Sequence, residues 1–330
     1  MNDYSFMPFL FINTFYFLII LTISNNYGIM KYTGEKIMKT KVYFMREITP
    51  KNVVKLYDML GIKAKGRVAV KVHSGEEGNQ NYLKPEFMKP MVEHVKGTIV
   101  ECNTAYPGER NTTDKHLKTL KRHGWNSIFD VDLMDAEGPD LIVPVRNGFH
   151  LKEDYLGKNI ANYDFMLVLS HFKGHPMGGF GGALKQLSIG CASSEGKTWI
   201  HSAGTNKDQY TLWDNLPAQD DFLESMADAA SAVVDYFKGN MAFINIMCNM
   251  SVDCDCCAIA EDPCLKDIGI LASLDPIAID QACVDLVDKS NDPGRDHFME
   301  RVNSRNGIHT IEAASKLGFG SREYELIEIK

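Results

Sequence analysis

From Lys41 onward, short apolar runs rich in β-branched and aromatic residues alternate with stretches whose apolar positions recur every three or four residues. The first pattern predicts buried strands at KVYFMREI, RVAVKVH (67–73), TIVECN, DLIVPV, DFMLVLSHF, MAFINIMC and IGILASL. The second predicts amphipathic helices at KPEFMKPMVEHVKG, TTDKHLKTLKRHG (112–124) and roughly 221–238. TPKNVVKLYDMLG reads as a helix with Thr49 as N-cap, Pro50 in the first turn and Gly61 as the stop. DPIAIDQACVDLVDK reads as another, capped by Asp275, with Cys283 on its apolar face beside Ile279, Leu286 and Val287 as a core thiol. Strands alternating with helices of about 10–15 residues predict a layered α/β fold, a largely parallel sheet with helices on both faces.

Ligands of open parallel sheets sit beyond the carboxyl ends of the strands. Four loops there carry chemistry: His73 with SGEEGN, Cys102 with NTAYPGER, His171 with a glycine loop, and a cysteine cluster after 242–248. These are expected to converge on one edge. Lys71 and His73 share a strand face, which places His73 at a pocket.

The first 37 residues have a different character. FMPFLFINTFYFLIILTIS (6–24) is apolar and aromatic, yet only Asp3 is charged ahead of it and no small-x-small cleavage site follows. Two readings stand: a mis-assigned start, with translation beginning at Met38, or an N-terminal membrane anchor. Residues 38–330 read as a single α/β domain without a linker. With 45% apolar and 24% charged residues a sizeable core is expected, and the net charge of -8 argues against a nucleic-acid partner. A membrane contact is expected only if residues 1–37 are translated and retained.

Eight cysteines permit disulfides outside the cell or ligands and thiols inside it. Cys254, Cys256, Cys257 and Cys264 fall within eleven residues, which suits one metal centre and a reducing cytoplasm better than independent disulfides. The C-x-C-C-x6-C spacing is neither the paired C-x2-4-C of structural zinc nor a familiar ferredoxin pattern. It leaves open a multi-iron cluster such as 4Fe-4S, two of these cysteines joined by Cys191 or Cys248, zinc or another ion, and redox-active thiols. Asp253 and Asp255 are read as amide or hard-metal partners, or as solvated loop carboxylates.

HPMGGFGGALK (175–185) is neither of the usual phosphate-loop patterns. Gly178, Gly179, Gly181 and Gly182 would still let amides approach an anion, with Lys185 supplying charge. Crowded by Phe180 and Leu184, Lys185 is a candidate to bind or attack a carbonyl, and His175 to move protons. The plain alternative is a flexible turn into a helix, with these side chains solvated.

VAVKVHSGEEGN, PEFMKPMVE, SHFKGHPMGGFGGALKQLSIGCASSEGK, DCDC and DIGILASLDPIAIDQACVDLV together resemble the family catalogued as domain of unknown function 362, often labelled iron-sulfur-centre proteins. Many members carry a ferredoxin-type insert after the glycine loop; here the stretch from His201 to Met247 has no cysteine. A fainter resemblance is to the N-terminal domain of nickel-dependent lactate racemases, over His175, GGFGGALK, IGCAS and His201. It implies Lys185 as the lysine carrying a nickel cofactor, His201 as the nickel-binding histidine and His175 as acid/base. Ala183 stands where that family has arginine, and Ile189 where it has proline.

Three functions follow as expectations. The first is a cytoplasmic iron-sulfur protein doing redox or electron-transfer-linked chemistry on a small anionic substrate, with an electron-transfer protein as partner. Its centre would be the four clustered cysteines, its pocket His73, His171, Lys173, His175, the four glycines and Lys185. The second is a metal-cofactor isomerase or epimerase, and the third a non-enzymatic metal-binding or cofactor-assembly protein.

Overall fold

The computed structural model describes residues 39–330 apart from Pro139 and Asn215, so the apolar segment 1–37 and the boundary at Met38 lie outside the described residues. Strand β1 (Thr40–Met45) leads into helix α1 (Pro50–Met59), where Thr49 accepts from the Asn52 amide and Pro50 occupies a position that needs no donor. β2 (Val68–Lys71), α2 (Pro85–Val95), β3 (Thr98–Glu101), α3 (Thr113–Arg122), a single turn α4 (Trp125–Ile128) and β4 (Val131–Leu133) continue the alternation. Next come β5 (Leu141–Pro144), β6 (Glu153–Leu156), β7 (Phe165–His171), β8 (Lys173–His175) and β9 (Gly179–Gly181). Three helices follow, α5 (Ala183–Cys191), α6 (Ser194–His201) and α7 (Gln219–Phe237). β10 (Met241–Met247), β11 (Gly269–Ser273), α8 (Pro276–Asp288), α9 (Arg295–Ser304), α10 (Ile308–Leu317) and β12 (Tyr324–Glu328) complete the described chain.

The main sheet has the order β12-β1-β11-β10-β7-β2-β3-β4, and every pair is parallel except those made by β11. β11 follows β10 through residues 248–268, which contain no helix to carry the chain back to the starting edge, so it runs antiparallel. Strand residues alternate between two cores. Val70, Leu167 and Ile244 meet Leu56, Met91 and Trp125 from α1, α2 and α4 on one face. Met166, Val168 and Phe243 meet Leu187, Ala230, Cys283, Phe298 and Ile311 on the other, so helices cover both faces. DLIVPV is not part of this sheet: β5 pairs antiparallel with β6 alone, and Ile142 is exposed.

The glycine loop is a tight β8–β9 hairpin. Gly179 has φ +79°, and a Cβ there would lie 2.8 Å from the Gly307 Cα. A Cβ on Gly182 would lie 2.3 Å from Asp280 Oδ1. That approach is needed because Asp280, from α8, accepts from the Ala183 and Leu184 amides at 2.8 and 2.9 Å and from Asn245 Nδ2 at 2.7 Å. It caps α5 across the fold, and α5 carries Lys185. Asp280→Ala removes all three hydrogen bonds and strands buried amides, so it should lower unfolding stability by roughly 3 kcal/mol. A shift in urea midpoint at unchanged slope reads this directly.

Candidate functional site

A carboxylate fixes the cysteine loop. Asp255 is buried and accepts from His171 Nδ1 at 2.9 Å and Lys173 Nζ at 3.1 Å. Burial opposes its charge, but His171 and Lys173 outweigh that and hold the carboxyl well below its ordinary range. His171 Nε2 lies 2.6 Å from the Cys248 carbonyl, and Lys173 Nζ also donates to the His171 carbonyl. His171 and Lys173 are therefore consumed in holding the loop and do not line the cavity beside it, contrary to the expectation that they touch substrate.

That cavity, of about 50 Å³, takes residues from all four strand-end loops: His73, Cys102 with Thr104 to Tyr106, His175 with Lys185, and Cys256. It also takes Lys71, Arg110, Gln186, Lys197 and His201, which sequence reasoning left out or assigned on resemblance alone. Four cations, Lys71, Arg110, Lys185 and Lys197, thus face one carboxylate, Glu101. Glu101 is paired with Lys71 at 2.9 Å and accepts from the Ser74 amide at 2.6 Å. Burial would raise its pKa, yet Lys71 and Arg110 hold it down to about 2. Lys197 is buried, its Nζ donates to the Ala192 carbonyl, and burial pushes its pKa down.

The histidines differ in what their rings offer. His175 Nδ1 accepts from the Met177 and Gly178 amides at 3.1 and 2.9 Å, so the neutral ring carries its proton on Nε2, 3.8 Å from Cys256 Sγ. His201 is the reverse: Nδ1 faces the Lys197 carbonyl at 2.7 Å, leaving Nε2 as the lone-pair nitrogen, and the ring stacks on Phe222. Burial, reinforced by Lys185, lowers the pKa of both to about 4. His73 accepts at Nδ1 from the Gly75 amide, and burial with Arg110 and Lys173 nearby pushes it well below its usual value.

Cys254, Cys256 and His175 bring their ligand atoms within 4.8 Å of one another. Burial pushes the Cys254 thiol up to about 11, whereas a hydrogen bond from Cys256 holds Cys257 below the usual thiol range. Cys264 is not in this group. Its thiol donates to the Met250 carbonyl at 3.4 Å and opens on a separate surface depression with Lys266 and Asp292. The glycines do not line the cavity either: the Gly178 amide is bound to His175, and Gly179 and Gly182 serve close packing. Cys191 and Cys248 are buried away from the group. A second cluster, His150, Asp221 and Glu224, is satisfied as ion pairs, with His150 and His309 on the two oxygens of Glu224 at 2.8 and 3.0 Å. Among the described residues no helix is long and apolar enough to cross a membrane.

Fold and site define an α/β protein with a cation-lined cavity closed on one side by thiols. Residues 68–285 match the family described as domain of unknown function (DUF362), and the chain belongs to that family. No curated protein matches the sequence. Among solved structures, the lactate racemase apoprotein from Thermoanaerobacterium thermosaccharolyticum is 12% identical with a TM-score of 0.39, covering 63% of this chain and 51% of its own. A protein from Thermotoga maritima is 12% identical with a TM-score of 0.37, covering 81% and 58%. The chain thus spans little more than half the length of either.

Neutral buried histidines make stability sensitive to acid. The folded pKa of His201 is depressed, so its contribution is present above the unfolded value of about 6.5 and is lost as pH falls toward about 4. His201→Gln should reduce the slope of stability against pH by about 1.4 kcal/mol per unit inside that window. Urea titrations of both proteins at a series of pH values measure it.

Proposed function

We propose that this protein holds a metal centre on Cys254 and Cys256, with Cys257 as a further thiol, and acts on a small anionic molecule in the adjoining cavity. The observation that carries this reading is the convergence of Cys254, Cys256 and His175 next to four cations. The thiols suit a soft ion or an iron-sulfur cluster. With Cys264 elsewhere, the grouped cysteines are fewer than the four that close a structural site, a donor set that fits a centre with an open position. Such a centre, when bound, would supply redox or Lewis-acid chemistry.

The chain's own residues divide the remaining work. Arg110, Lys185 and Lys197 supply positive charge for an anion, inside a cavity small enough to exclude most water. His175 donates from Nε2 toward the sulfurs, which favours thiolate. His201, neutral with a free Nε2, is placed to take a proton. A second reading, an isomerase using a nickel-based cofactor on Lys185, is supported by Lys185, His175 and His201 lining this one cavity.

Metal analysis of protein purified without oxygen separates these readings. Iron with sulfide, lost in Cys254→Ala and kept in Lys185→Ala, is the expected result. Metal retained in Cys254→Ala, or none in the wild type, overturns the thiolate centre; nickel lost only in Lys185→Ala supports the isomerase.

A further inference from the structure

Two donors at this cavity have no acceptor among the described residues. Arg110 is 2% exposed; its Nε donates to Glu76 at 3.2 Å and its Nη1 lies 3.9 Å from Glu101, while Nη2 is buried with no partner. Gln186 is 5% exposed, and its Nε2 is likewise buried and unpartnered. Both residues line the cavity. Leaving such a donor unsatisfied costs about 1–3 kcal/mol, more on a charged group, so two at one cavity point to an acceptor that belongs there. Gly190 makes the arrangement possible, since a Cβ would lie 2.8 Å from both Gln186 Oε1 and Lys71 Cε.

We propose that the cavity recognises a small organic carboxylate, with Arg110 Nη2 and Gln186 Nε2 as its donors. This rests on reading the cavity as the ligand site and names the ligand's class. Size sets the first limit: about 50 Å³, at roughly 10–15 Å³ for each water, admits three to five heavy atoms. Charge sets the second. Glu101 is already paired with Lys71 and hydrogen-bonded by the Ser74 amide, so the guanidinium edge and the remaining lysines are left to an incoming anion.

Phosphate is the rival of similar size, and the fold withholds its usual seat. The amides of Ala183 and Leu184, at the start of the helix that carries Lys185, are bound to the Asp280 carboxylate. The Gly178 amide is bound to His175. What remains is a side-chain amide and one edge of a planar guanidinium, donors matched to the two oxygens of a carboxylate.

The test is binding of carbon-13-labelled acetate to the full chain, followed by NMR and by thermal shift, with inorganic phosphate as competitor. Wild type should bind acetate in preference to phosphate. Gln186→Met, which removes the orphan amide and keeps the volume, should weaken acetate about tenfold or more without lowering the ligand-free melting temperature. Arg110→Lys should weaken it too, although it also disturbs the Glu76 pair, which is why the Gln186 variant decides. Acetate binding should persist in Cys254→Ala, so that failure of the metal centre and failure of this site are read apart. No acetate binding by wild type, a preference for phosphate, or equal affinity in Gln186→Met overturns the proposal.

Discussion

The site depends on one buried carboxylate. Asp255 sits between Cys254 and Cys256 in the chain and is tied to His171 at the end of the central strand β7 and to Lys173 at the start of β8. The turn it occupies closes with the Cys257 amide donating to the Cys254 carbonyl at 2.9 Å. Removing one partner of such a pair leaves an uncompensated buried charge, at a cost of about 3–5 kcal/mol, so the register of the cysteine loop against the sheet is not free to slip. The Cys256 thiol consequently reaches the cavity in a fixed relation to Lys185 and His175, with Cys254 beside it.

The same logic of satisfied and unsatisfied groups separates scaffold from site. Asp255, Asp280 and Glu101 each have their oxygens filled by donors from elsewhere in the fold. They set the loops, cap the helix and orient the lysine. The cavity donors of Arg110 and Gln186, and the lone pair left on His201, have capacity for something not part of the chain.

The alternation of strands and helices was legible because period and capping are local: Thr49 and Asp275 cap the helices the pattern predicts. The convergence of four loops was legible as well, since it follows from a parallel sheet. What chain spacing hid was partnership. His171, Lys173 and the glycines look like ligand groups in sequence, but their partners, Asp255, Asp280 and Gly307, come from distant elements. Arg110 and Lys197 lay inside quoted stretches but were given no role, because their placement comes from a loop and a helix whose positions only the tertiary fold defines. Four cysteines in eleven residues suggested one centre, yet Cys264 is turned away to the Met250 carbonyl.

X-ray absorption at the edge of whichever metal the protein holds tests the central claim most directly. The account predicts sulfur scatterers at about 2.3 Å in the first shell, without an imidazole from His175, whose Nδ1 is committed to two amides. A first shell of nitrogen and oxygen alone would contradict it.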